Sequence, residues 1–116
     1  MKALLAVLCL LYAVPVAAQD TAFRASMVAA IAAHGADLSS TEHCLGAGRC
    51  TELNPWLARF DQPAVFGAAK MAVAGLSLWG TAKLKDAGHP KLAIAANVGQ
   101  AIGFSLIAWH NARVSR

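Results

Sequence analysis

A chain of 116 residues with 58% hydrophobic and only 14% charged side chains falls well short of the roughly 25% charge usual in soluble domains, and has room for one small domain. Its net charge of +4 comes from ten Lys and Arg scattered singly, with no basic stripe; this argues against a nucleic-acid partner, because phosphate binding needs a clustered basic surface. The expected surroundings are therefore membrane lipid, and the expected fold is all-α: a small membrane helical bundle with two strong transmembrane helices, a third weaker helix and an N-terminal signal.

Residues 1–18 have the layout of a signal peptide or signal anchor, ahead of a helical membrane domain at 19–116. "MK" supplies a positive start, "ALLAVLCLLYAVPV" an apolar run, and Val16-Ala17-Ala18 a small-residue cleavage site before Gln19. The run is also long enough to be kept as an anchor. A lipoprotein attached through Cys9 is disfavoured, since Leu8 stands where a small residue is wanted. Residues 22–38, "AFRASMVAAIAAHGADL", form the weaker helix. Its apolar stretch lies between Arg24 and His34, and crossing a bilayer would carry His34 and Asp37 with it. An ionised aspartate near the bilayer centre costs on the order of 3 kcal/mol. Ser39 followed by Glu42 fits a capping box that opens a further short helix, with Gly46 at its end.

The next stretch, "HCLGAGRCTELNPW", concentrates chemistry. Cys44 and Cys50 are separated by "LGAGR", whose glycines let the backbone turn, and in an oxidising compartment such a pair is expected to be a disulfide. A metal site on His43, Cys44 and Cys50 lacks a second Cys or His pair at a familiar zinc spacing, so neither metal nor cofactor is expected. Asn54 and Pro55 fit an N-cap and first residue of the following helix.

Residues 62–82 and 92–112 are the two transmembrane candidates. Each is 21 residues long, and as a helix spans about 31 Å, close to the hydrocarbon thickness of a bilayer. "GHPK" at 88–91 stops one and starts the other. Both carry polar residues at helical spacing: Lys70, Ser77 and Thr81 in the first, Asn97 and Gln100 in the second, with His110 and Asn111 at its far end. Asp37 with Thr41, and His34 with Asp37, share a face of the weaker helix. Such stripes are expected to meet inside a bundle, away from lipid. Lys70 either snorkels to the interface or pairs with Asp37 or Glu52.

"ADLSSTEHCLGAGRCTELNPWLARF" followed by a Lys70-bearing helix resembles a small family of bacterial integral membrane proteins with an Asp-x-x-x-Thr helix, a Gly-containing turn, an E-x-N-P motif and an early lysine in the next helix. The matching positions are Asp37, Thr41, Glu52, Asn54, Pro55 and Lys70, and the similarity covers residues 25–110. It implies a bundle of about three membrane helices and no particular activity. The signal-like leader and the cysteine pair depart from that pattern.

The function expected is structural or accessory, in the bacterial inner membrane, with the protein assembling with copies of itself or within a larger complex. Small residues such as Gly67, Ala68, Ala72, Gly75, Gly99 and Gly103 would permit close helix approach, within the chain or between chains. Other classes are an exported soluble helical protein, an enzyme using His34, Asp37, His43, Glu52 or His110, or a transport component built on Lys70, Asn97 and Gln100. No HExxH, GxSxG or phosphate loop supports an enzyme. An oxidised Cys44–Cys50 loop belongs on the periplasmic side, and Lys83, Lys85 and Lys91 favour the cytoplasm. A cleaved N-terminus agrees with both if residues 22–38 lie on the outer surface or are partly inserted against the other two helices.

Overall fold

The structure, a computed structural model, describes residues 16–46 and 63–114. They form three helices and, among the described residues, no strand: α1 (Val16–Gly46), α2 (Pro63–Asp86) and α3 (Pro90–Val114). The fold is all-helical, and α2 and α3 are both long and apolar enough to cross a membrane. Their observed ends lie within a few residues of those expected from composition.

The α2–α3 turn is set by local chemistry. Gly88 takes φ of 90°, a left-handed conformation that suits glycine. Its amide donates to the Lys85 carbonyl and the His89 amide to the Leu84 carbonyl, both at 3.0 Å. This is the paired closure that satisfies the last carbonyls of a helix. Pro90, which has no amide to lose, then occupies the first position of α3.

Contacts between α1 and α3 keep a nearly constant sequence offset. Ser26 bonds to Asn97, the His34 ring meets the Phe104 ring, and Thr41 bonds to Asn111. A constant offset means parallel helices, so α1 and α3 run side by side in the same direction. α2 runs antiparallel to α3 through the short turn, giving an up–down–up bundle in which α1 packs most extensively on α3.

α1 departs from expectation in length. It continues through Ser39 to Gly46 as a helix of 31 residues, so Ser39 and Glu42 do not cap a new helix. Ser40 instead turns its hydroxyl back to the Asp37 carbonyl at 3.1 Å, a bond compatible with uninterrupted helix. The buried positions of α1 are Gln19, Phe23, Ser26, Ala30, Ala33, Asp37, Thr41 and Cys44. Steps of three and four place them on one stripe, the spacing of a helix seam. Half of that stripe is polar.

Apolar packing concentrates near the turn, where Phe23 meets Ala93 and Ile94, flanked by Met27, Ala82, Leu84 and Val98. Elsewhere Phe66 of α2 is buried, but many large apolar side chains point outward: Val28 and Ile31 on α1, Met71, Leu76 and Trp79 on α2, Ile102, Leu106 and Trp109 on α3. Among the small residues, Gly67 makes a close contact within the chain, since a Cβ there would lie 3.1 Å from Glu42 Oε1. A Cβ at Gly75, Gly99 or Gly103 would meet nothing within 4 Å among the described residues.

Candidate functional site

The polar residues of α1 and α3 form a seam at three levels. Nearest the turn, Asn97 Nδ2 donates to Ser26 Oγ at 3.1 Å, and Ser26 Oγ donates to the Phe23 carbonyl at 2.7 Å. Asn97 is fully buried, and its Oδ1 has no hydrogen-bond donor among the described residues. At mid-height, His34 Nε2 lies 2.9 Å from Gln100 Oε1; the amide oxygen accepts, so the ring nitrogen donates. The His34 ring stacks at a tilt on Phe104, with centroids 4.1 Å apart.

The third level, near the free end of α3, holds a buried ion pair. Lys70 Nζ donates to Asp37 Oδ2 at 2.6 Å, with side chains 10% and 3% exposed. Thr41 uses its whole hydroxyl here. It donates to Asp37 Oδ1 at 3.2 Å and accepts from Lys70 Nζ at 3.3 Å and Asn111 Nδ2 at 2.9 Å, which is the full capacity of one donor and two lone pairs. Asn111 Nδ2 also donates to Ser40 Oγ at 3.3 Å. The Phe66 ring lies 5.5 Å from Lys70 Nζ, within cation–π range. Both carboxylate oxygens of Asp37 thus have donors. A buried pair satisfied in this way recovers much of the desolvation penalty that each ion alone would incur.

Of the expected site residues, the structure brings together Asp37, Thr41 and Lys70, with Asn111 and Ser40 completing the network. Asn97 and Gln100 face the same seam at separate levels, each with its own partner on α1. His43 and His110 are exposed. Glu52, Asn54, Pro55 and Cys50 lie outside the described residues. Cys44 is buried and is not a free thiol. Ser26 was not singled out in the sequence, because a lone serine among alanines carries no pattern. Its place on the same face as Asp37, about three turns earlier, and its bond from Asn97 connect it to the seam.

Basic groups with aromatic partners mark the ends of the bundle. Lys83 lies over Trp79 at 5.9 Å and Lys85 over Phe23 at 5.2 Å near the turn, while Arg113 lies over Trp109 at 4.6 Å at the other end. Along the hairpin, Lys83 and Arg113 are roughly 30 Å apart at 1.5 Å per residue. At the turn end Lys85 Nζ also donates to Asp20 Oδ1 at 2.9 Å. That hydrogen bond, then the Lys85 charge and to a lesser degree Arg24, hold the Asp20 carboxyl below its ordinary value against a small opposing desolvation.

No protein-family model matches the chain, and no curated protein or solved structure does so either.

Proposed function

We propose that the protein is a small integral membrane protein of the bacterial inner membrane with a structural or accessory role, its Cys44–Cys50 loop closed by a disulfide on the periplasmic side. One observation carries this: Asp37, Thr41, His34 and Ser26 of α1, Lys70 of α2 and Asn97, Gln100 and Asn111 of α3 bond to one another inside the bundle, while most of the large apolar side chains point outward. That is the reverse of a soluble bundle, and an apolar exterior of this extent suits acyl chains better than water. The burial of Cys44, whose sulfur is not a free thiol, supports the disulfide. The resemblance to a family of small bacterial membrane proteins supports the setting and points to no reaction.

Lipid is the first partner, and a second copy or a larger membrane complex is the next. Gly99 and Gly103, one turn apart on α3, where an added Cβ would meet nothing within 4 Å among the described residues, support close approach by another helix. The experiment is alkaline carbonate extraction of membranes followed by flotation with vesicles. Retention in the floated fraction is the expected result, and release of the intact chain without detergent would leave the exported soluble protein as the better account.

A further inference from the structure

We infer that α1 crosses the bilayer as a third transmembrane segment, its outer face covered by lipid acyl chains and its two ends on opposite sides of the membrane. The inference rests on the membrane reading above and goes beyond it, since α1 was expected to lie on the outer surface or to be partly inserted, and composition alone marks only α2 and α3 as spans.

Geometry carries it first. α1 is parallel to α3 and stays in step with it from Ser26 at Asn97 to Thr41 at Asn111. Whatever depth α3 reaches, α1 reaches beside it. A helix resting on the membrane surface would lie across the axis of α3, not along it.

The surface of α1 agrees. Between Arg24 and Ser39 its exposed residues are Ala25, Val28, Ala29, Ile31, Ala32, Gly35 and Ala36, none of them polar. Residues 25–38 cover about 21 Å at 1.5 Å per residue. Asp20, Thr21 and Arg24 bound this band at one end, and Ser39, Glu42 and His43 at the other, all exposed. The band is shorter than a hydrocarbon core of about 30 Å, a mismatch that the long Arg24 stem and local thinning accommodate. An interfacial helix needs a polar face turned to water. The polar stripe of α1 is turned instead to α3 and α2.

The objection to α1 as a span was the charge it would carry into lipid. Asp37 does enter, but inward, against Lys70. His34 likewise faces Gln100 and Phe104. Neither is presented to acyl chains, so the insertion penalty for a lone charge does not apply to the assembled bundle.

Placement follows for the ends. The Asp20–Lys85 ion pair ties the start of α1 to the α2–α3 turn, so those two lie on one side of the membrane and Ser39 to Gly46 on the other.

The full chain carrying Thr21→Cys, Ala87→Cys or Ser39→Cys, each at an exposed position, tests this. Intact cells and inverted membrane vesicles are treated with a membrane-impermeant maleimide, and the labelled peptides are identified by mass, which separates the new cysteine from the native ones. Thr21→Cys and Ala87→Cys are expected to label at least tenfold better in the same preparation, and Ser39→Cys in the opposite one. Labelling of Thr21→Cys and Ser39→Cys from one side, in protein that carbonate leaves in the membrane, overturns the crossing but keeps the membrane reading; release by carbonate overturns both. A spin label at Ala29→Cys gives a second measurement in reconstituted vesicles. Collisions with oxygen should dominate over those with a water-soluble nickel chelate, and the reverse order would remove α1 from the hydrocarbon.

Discussion

A carboxylate left without its cation inside a helical bundle has no water to turn to, and this makes Asp37 and Lys70 depend on each other. Asp37→Ala or Lys70→Ala alone should destabilise by about 3–5 kcal/mol, the usual result of stranding a buried charge. Replacing both by apolar side chains, as in Asp37→Leu with Lys70→Met, should cost less than either single change. Unfolding in mixed detergent micelles measures all three, and strictly additive losses would mean the two side chains are not energetically coupled. Asn97 contrasts with them. Its Oδ1 is already buried without a donor, and Ser26 keeps its bond to the Phe23 carbonyl when the amide is gone. Asn97→Leu should therefore change stability by no more than about 1 kcal/mol, since an unsatisfied acceptor leaves together with one hydrogen bond. At this scale the sequence was partly legible. Lys70, Asp37 and Thr41 stood out because charge and hydroxyl groups are rare in so apolar a chain, but Glu52 competed with Asp37 for the lysine until α1 and α2 were seen together.

Between helices, the turn end is held by an ion pair on the rim as well as by the apolar Phe23 cluster. Lys85 keeps the Asp20 carboxyl below its ordinary value, so its contribution is complete above the unfolded carboxylate value of about 4 and disappears as pH falls through the lower folded one. Asp20 is largely exposed and the effect should be small and weakened by salt. Thermal unfolding of the wild type and Asp20→Asn should show a difference at pH 6 that shrinks to nothing toward pH 2. A difference that persists at pH 2 would need another cause. The lengths of α2 and α3 were readable because an apolar run of about twenty residues with at most one charge, Lys70 in α2, has few alternatives to a membrane helix. The length of α1 was not. Its buried stripe mixes Gln19, Ser26, Asp37 and Thr41 with alanines, so burial leaves little hydrophobic contrast between the two faces. Ser39 and Glu42 imitate a capping box while their helix runs straight on.

As a whole the described part of the molecule presents many apolar side chains outward, and glycines at positions that no other described residue fills. Gly99→Ala and Gly103→Ala should stabilise an isolated chain by about 0.4–1 kcal/mol each, because the added methyl meets open space and glycine is the poorer helix former. If a second helix seats on that stripe, the same changes should reduce cross-linked oligomer in native membranes; unchanged cross-linking would assign the assembly to another face. The small bond between Asp20 and Lys85 has a further meaning for the life history of the chain. Val16, Ala17 and Ala18, the residues at which a leader would be cut, form the first turn of α1 and lie one turn from Asp20, at the opposite end from Cys44. Leader removal and cysteine oxidation both belong to the outer compartment. If α1 spans the membrane and Cys44 lies in that compartment, the start of α1 lies outside its reach, so an oxidised loop should go with an untrimmed start. The mass of the intact chain would then record its orientation: residues 1–18 retained together with the loss of two hydrogens is the expected result for a periplasmic Cys44.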